Sequence, residues 1–377
     1  MAVYIGLMSG TSLDGVDGVL ADLGEPDGSA VRVIGHASVD FPTALRAEFM
    51  ALNTPGNDEL HRAALAANAL VALYADVVRQ LLARAGLPAS AVTAVGAHGQ
   101  TVRHRPGAFD GIGYTIQLDN PALLAETTGI DVVADFRSRD VAAGGQGAPL
   151  VPAFHLAVFG RPDRSVAVLN IGGISNISLL PATGDDVDVS ASVLGFDCGP
   201  GNALMDHWCL THTGEPYDAG GRWAASGTVH PALLARCLAD PYFLGAPPKS
   251  TGRDLFHPDW LAARLAGLDV TPVDVQATLA ELTATACADD LLRHGGDCRE
   301  LIVCGGGALN RHLMARLAAR LPGVAVVPSD EHGLPSQQVE ATAFAWLACA
   351  TVHRRAGNLA AVTGARGARV LGAIHPA

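Results

Sequence analysis

Two hydrophobic periods alternate along this chain. Short apolar runs closed by Gly, Ser, Asp or Asn are followed by longer stretches in which apolar residues return every three or four positions. The short runs predict strands over 92–97, 130–134, 166–171 and 301–304. The helical spacing predicts helices over 68–85, 276–292, 310–321 and 340–355, and the apolar tail 369–374 reads as a last strand returning to the first domain. Strands and helices in alternation point to an α/β fold. At the start, Val3-Tyr4-Ile5-Gly6-Leu7-Met8 enters a tight polar turn and a second apolar run leaves over 16–23, which predicts a hairpin. The Gly/Gln/Pro-rich stretch 142–152 reads as a crossing loop. Two glycine turns after strands suggest a doubled α/β plan.

Composition narrows the partners. With 377 residues, 49% hydrophobic and 16% charged, the chain can bury a large core and suits two domains better than one. A formal net charge of −12 without a Lys/Arg block argues against a nucleic-acid or anionic-membrane surface, since clustered cations hold both. A local nucleotide site stays open. The opening residues lack a basic leader with an apolar stretch and cleavage site, and no run approaches the roughly 18 uninterrupted apolar residues of a membrane span, so a cytoplasmic chain is expected. Seven cysteines without a CxxC pair suit reduced thiols, mostly in the core.

Candidate chemistry gathers at the turns. The hairpin tip, Ser9-Gly10-Thr11-Ser12-Leu13-Asp14-Gly15-Val16-Asp17, crowds hydroxyls, backbone amides and two carboxylates together. Phosphate oxygens need several close donors, and Asp14 or Asp17 can hold Mg²⁺ directly or through water. An ordinary polar turn has the same composition. A second strand-turn-strand unit surrounds Asn170-Ile171-Gly172-Gly173, and Cys304-Gly305-Gly306-Gly307 joins a strand to a helix, where a sugar or adenine ring can lie on bare backbone. No cluster has P-loop spacing with its lysine, and no dinucleotide fingerprint follows a strand. Three clusters spread over two halves fit two lobes closing on one nucleotide.

Asp197, in Gly195-Phe196-Asp197-Cys198-Gly199-Pro200-Gly201-Asn202, ends an apolar strand before a glycine/proline turn. It is the candidate for the group that deprotonates a nucleophile, with an Asx turn or helix cap as the alternative. His98, Gln100, Thr101 and Arg137 follow predicted strands, where open α/β sheets bind ligands, and are candidates for a polyhydroxylated or acidic substrate. A buried, satisfied histidine explains His98 equally well. Glu340 opens the last helix and either orients a substrate hydroxyl or favours the helix N-terminus. The run 247–254, with Lys249, Ser250, Thr251 and Arg253, is either a phosphate- or sugar-touching loop or a solvated connector.

The order and wording of these motifs, together with His98-Gly99-Gln100-Thr101, Val133-Ala134-Asp135-Phe136-Arg137, Gly144-Gly145-Gln146-Gly147-Ala148-Pro149, Pro248-Lys249-Ser250-Thr251-Gly252-Arg253 and Glu340-Ala341, resemble the anhydro-N-acetylmuramic acid kinase family nearly end to end. The resemblance implies the actin-like fold of sugar kinases and heat-shock chaperones, with duplicated mixed sheets flanked by helices in two lobes and ATP in the cleft. The expected lobes are 1–134 plus 359–377, and 135–358. It also implies a homodimer that recycles bacterial cell-wall sugar, with ATP, Mg²⁺, 1,6-anhydro-N-acetylmuramic acid and water as small-molecule partners. The phosphate loop corresponds to Gly10 through Asp17, with Asp14 as metal ligand, and Gly172, Gly173, Gly305 and Gly306 complete the nucleotide site. Asp197 corresponds to the catalytic base. Water would open the 1,6-anhydro bridge while O6 takes the γ-phosphoryl group. Inverting glycosidases pair a water-activating carboxylate with an acid that protonates the leaving oxygen; capture of O6 by phosphorus makes that acid dispensable. The chain departs from the family pattern in Gln117-Leu118-Asp119-Asn120-Pro121, where an aspartate is shifted by one place, and at Cys198 and Gln337. Two further readings are a kinase for another anhydrosugar such as levoglucosan, and a non-catalytic nucleotide-binding module of the same fold.

Overall fold

A computed structural model describes residues 2–10, 13–24, 30–184, 189–252 and 254–377. The chain forms two units, Met1–Val158 with Gln338–Ala377, and Phe159–Gln337. The first contains β1 (Val3–Met8), β2 (Gly15–Asp22), β3 (Arg32–Asp40), β4 (Ala94–Ala97), β5 (Gln100–Pro106), β6 (Gly113–Leu118) and β7 (Val132–Ala134). The second holds β8 (Val166–Ile171), β9 (Ile174–Leu180), β10 (Leu194–Pro200), β11 (Glu300–Cys304) and β12 (Ala325–Pro328), and β13 (Ala373–His375) returns to the first.

The main sheet of the first unit runs β13-β7-β4-β1-β2-β3, and that of the second runs β10-β9-β8-β11-β12. In both, the first strand of the unit pairs antiparallel with the second, the second with the third, and the first lies parallel to the fourth. The same order therefore occurs twice, the duplicated mixed-sheet plan of the actin-like fold. β8 is buried at every position, as expected of a central strand covered on both faces.

Glycines decide how helices meet the first sheet. Gly6 of β1 and Gly96 of β4 are register partners. A Cβ on Gly6 would stand 1.8 Å from the Ala341 carbonyl oxygen, and one on Gly96 would stand 2.1 Å from that of Phe344. The helix Val339–Val352 thus lies on bare strand backbone. On the opposite face Gly18 faces Val77 of the helix Glu59–Ala85, 2.2 Å from where its Cβ would be. The first unit thus takes in residues 338–358 and also includes 135–158, whereas the sequence placed the boundaries at 134/135 and 358/359. The stretch 142–152 likewise belongs to the first unit. Buried Asp140 accepts from the Gly147 amide (2.7 Å), Asn358 (2.6 Å) and Thr363 (2.7 Å), anchoring that loop to the C-terminal segment.

The helix Glu59–Ala85 begins earlier than the expected 68–85, and it is long and apolar enough to cross a membrane, although half of its most apolar window is buried in the fold. The other long helices, Pro272–His294, Arg311–Arg320 and Val339–Val352, fall close to their expected ranges. All seven cysteines are buried free thiols.

Candidate functional site

Each unit carries part of the predicted chemistry. In the first, β1 delivers Ser9 and Gly10 to the hairpin tip. Ser9 donates to the Gly99 carbonyl at 3.0 Å and meets the Tyr74 hydroxyl at 3.1 Å, while that hydroxyl also accepts the Gly99 amide at 3.1 Å. The Ser9 side chain is therefore buried in the joint between β1 and the turn after β4. The Gly10 carbonyl accepts from the Leu13 amide (3.2 Å) and Gln100 Nε2 (3.3 Å). Thr11 and Ser12 lie outside the described residues. Leu13, at φ 58°, and Val16 put their side chains into the core, so only their backbone is available to a ligand. Gly15 packs against β3, where a Cβ would lie 2.4 Å from the Val39 carbonyl oxygen. Of the two carboxylates, Asp17 contacts His36 Nε2 at 3.2 Å, whereas Asp14 is 74% exposed and 3.9 Å from Arg46. No group of three or more metal-ligating side chains occurs among the described residues. A lone exposed carboxylate suits a magnesium ion carried chiefly by phosphates and water.

Beside the hairpin, the structure joins His98, Arg137 and Glu340. Arg137 donates from Nε (3.2 Å) and Nη2 (2.9 Å) to His98 Nε2, and from Nη1 to the Gly147 carbonyl (2.8 Å). A guanidinium only donates, so Nε2 carries the lone pair and the imidazole is the neutral Nδ1–H tautomer. Burial, with the Arg137 charge adding to it, lowers the His98 pKa to about 3, in keeping with that assignment. Burial also lowers Arg137 to about 10, opposed by the charges of Glu340 and Asp140. His98 leans on the ring of Phe344, with centroids 4.7 Å apart. Gln100 is fully buried, and its Oε1 has no hydrogen-bond partner among the described residues. Thr101 accepts from Gln117 at 3.2 Å. A cavity of ≈ 280 Å³ lined by His98, Thr115, Gln117, Asp119, Asp135 and Ser138 adjoins this group. Asp119, the shifted aspartate, has its pKa raised by burial to about 7. Arg103 is committed elsewhere, to Glu59 (3.1 Å) and the Leu52 carbonyl (3.0 Å).

In the second unit the separate glycine clusters converge. The Gly172 carbonyl accepts the Asn202 amide (2.8 Å), and that of Gly173 accepts the amides of Gly201 (3.0 Å) and Ala203 (3.1 Å). Asn202 Nδ2 donates to the Ile171 carbonyl at 3.1 Å. Cys304 pairs in register with Asn170, and a Cβ on Gly305 would stand 2.4 Å from Asn170 Oδ1. Gly306 lies on the same surface, its Cβ position 3.5 Å from Asn202 Nδ2. The result is a glycine-lined backbone surface at the ends of β8, β10 and β11.

Asp197 lies on β10 at a bulge that breaks the register with β9 between Asp197 and Gly199. Its Oδ2 accepts from Ser250 Oγ and the Thr251 amide, both at 2.9 Å. Its Oδ1 accepts no hydrogen bond among the described residues. Burial raises the Asp197 pKa, and the two donors and the Lys249 charge pull it partly back. One oxygen is thus fixed, and the other accepts no such bond among the described residues, an arrangement compatible with a group that takes up a proton. The sequence left the 247–254 loop open between a phosphate- or sugar-touching loop and a solvated connector; its Ser250 and Thr251 hold the aspartate, and Arg253 is outside the described residues. Such a contact between positions 53 apart has no local signal.

Two sheets of one order, with polar turns and an anchored carboxylate at their strand ends, define a phosphotransferase of the actin-like fold. The chain belongs to the anhydro-N-acetylmuramic acid kinase family, whose model matches residues 2–377. It is 69% identical over 376 residues to the anhydro-N-acetylmuramic acid kinase of Variovorax paradoxus, covering 100% of this chain and 99% of that one. The kinase of the same name from Albidiferax ferrireducens is 61% identical over 389 residues, with coverage of 100% and 99%. Among solved structures, a ROK family glucokinase from Streptomyces griseus in complex with glucose and AMPPNP aligns with TM-score 0.40 and 15% identity, covering 92% of this chain and 99% of that one. An activator of 2-hydroxyisocaproyl-CoA dehydratase from Clostridium difficile aligns with TM-score 0.46 and 14% identity, covering 92% and 94%.

Proposed function

We propose that this chain uses ATP and water to convert 1,6-anhydro-N-acetylmuramic acid into N-acetylmuramate 6-phosphate and ADP, a step in recycling cell-wall sugar. The observation that carries the mechanism is the Asp197 carboxylate, held through Oδ2, with no hydrogen bond at Oδ1 among the described residues. Oδ1 takes a proton from water as the water oxygen bonds to C1 of the sugar. The C1–O6 bond breaks, and the electron pair left on O6 forms the new bond to the γ-phosphorus. The β,γ-bridging oxygen departs with ADP, so no acid has to protonate O6.

Family membership supports ATP as the phosphoryl donor. The backbone of Gly10 through Asp17 is the proposed seat of its phosphates, and the surface of Gly172, Gly173, Gly305 and Gly306 that of the nucleoside. Mg²⁺ is proposed to sit with the phosphates at Asp14, where it would neutralise charge on them. His98, Gln100, Thr101, Arg137 and Glu340 are proposed to bind the sugar. With Arg103 committed to Glu59, Arg137 is the cation proposed to face the substrate carboxylate. A homodimer in the cytoplasm completes the proposal.

The test is ADP release with 1,6-anhydro-N-acetylmuramic acid, with levoglucosan and with no sugar, in ¹⁸O-labelled water. The expected product is a muramate 6-phosphate with one label at C1. Turnover with levoglucosan alone would move the substrate to another anhydrosugar.

A further inference from the structure

Three consecutive residues grip Asp197. The Lys249 carbonyl accepts its amide at 3.2 Å, and Ser250 and Thr251 both bond Oδ2. The tripeptide is itself anchored inward. Lys249 Nζ lies 2.9 Å from Asp290 Oδ2, and the two side chains are only 7% and 2% exposed. The ammonium also sits over the rings of Tyr242 (5.1 Å) and Phe196 (5.7 Å), and the Tyr242 hydroxyl donates to the Asp197 carbonyl at 2.7 Å. Desolvating two charges offsets most of their attraction, so a well-packed apolar pair would stabilise this position about as well. An apolar pair would not present a cation behind the carboxylate.

We propose that Lys249, balanced by Asp290 and extended by Ser250, is a positioning group for Asp197 that fixes both its rotamer and its readiness to ionise. The inference rests on Asp197 being the general base. Lys249 and Tyr242 interact with Asp197 directly; Asp290 from the helix Pro272–His294 acts on both of them, with Arg293 and Cys198 beside Asp290 and Cys287 beside Cys198. Against the burial that raises it, the Thr251 amide, the Ser250 hydroxyl and the Lys249 charge draw the Asp197 proton affinity down.

The experiment is the pH profile of kcat/KM for the anhydrosugar in the full chain, with Lys249→Met, Asp290→Asn, Ser250→Ala and Asp197→Asn. Loss of the cation or of the hydroxyl donor moves the acidic limb up by about one pH unit, a tenfold loss on that limb. Asp290→Asn leaves the cation uncompensated and moves the limb down. A purely structural pair would lower activity at all pH values and shift neither limb. Ser250 is exposed, so its variant carries the test if Lys249→Met fails to fold. Unmoved limbs in Ser250→Ala and Asp290→Asn, with Asp197→Asn inactive, would overturn the positioning role alone. Turnover retained in Asp197→Asn would instead remove the base on which the inference stands.

Discussion

At the level of single residues, the first unit shows how one turn mixes structural and chemical side chains. Tyr74 is fully buried, and its hydroxyl serves both Ser9 and the Gly99 amide. Tyr74→Phe leaves that buried amide unpaired and is expected to cost about 1–3 kcal/mol, read as a lower urea midpoint at unchanged m-value. Asp14 is the opposite case, since its exposed carboxylate supports no core contact. Asp14→Asn is expected to leave stability within about 0.5 kcal/mol and to raise KM for Mg·ATP several-fold. Equal nucleotide kinetics in that variant would return Asp14 to an ordinary turn. The sequence pointed to both positions, because hydroxyls and carboxylates around glycines are conspicuous there. It did not separate Ser9, whose hydroxyl is spent inside, from Asp14, whose carboxylate is exposed beside Arg46, since the fate of Ser9 depends on a tyrosine 65 positions away.

Among the elements, strand ends were far more legible than helix docking. Apolar runs ending in glycine located β8 and β11, and the turns after them do meet in one surface. What stayed hidden was the use of glycine inside strands. Gly6 and Gly96 carry no signal in the sequence for what docks on them, yet their missing side chains let the helix Val339–Val352 onto the first sheet, which is why the expected boundary at 358 differs from the observed unit. Gly96→Ala drives a methyl to within 2.1 Å of the Phe344 carbonyl and is expected to destabilise by about 3 kcal/mol. Gly35→Ala is the control on the same sheet. Its nearest neighbour would be Leu81 at 3.9 Å, so stabilisation of up to about 1 kcal/mol is expected. Equal effects of the two in urea unfolding would show that the helix contact tolerates a side chain.

For the whole molecule, buried histidines set the response to acid. His98 and His155 are both lowered to about 3 by burial, whereas in the unfolded chain each titrates near 6.5. Below pH 6.5 the unfolded state therefore binds more protons, and stability falls by about 1.4 kcal/mol per pH unit for each histidine until the folded groups protonate near pH 3. Asp119 works in the other direction. Its folded pKa of about 7 lies above the unfolded value, so between pH 7 and 4 the folded state takes up that proton first and gains stability. The two fully buried histidines outweigh the one aspartate, leaving a net loss on acidification below pH 6.5, and above about pH 7 these three groups bind no proton in either state. Stability in urea unfolding is thus expected to rise with pH and to level off near pH 7. Asp119→Asn should steepen the loss between pH 6.5 and 4, and His155→Asn should reduce it by about 1.4 kcal/mol per pH unit. A curve unchanged by both substitutions would assign the pH dependence to other groups, leaving the burial of these two side chains without thermodynamic weight.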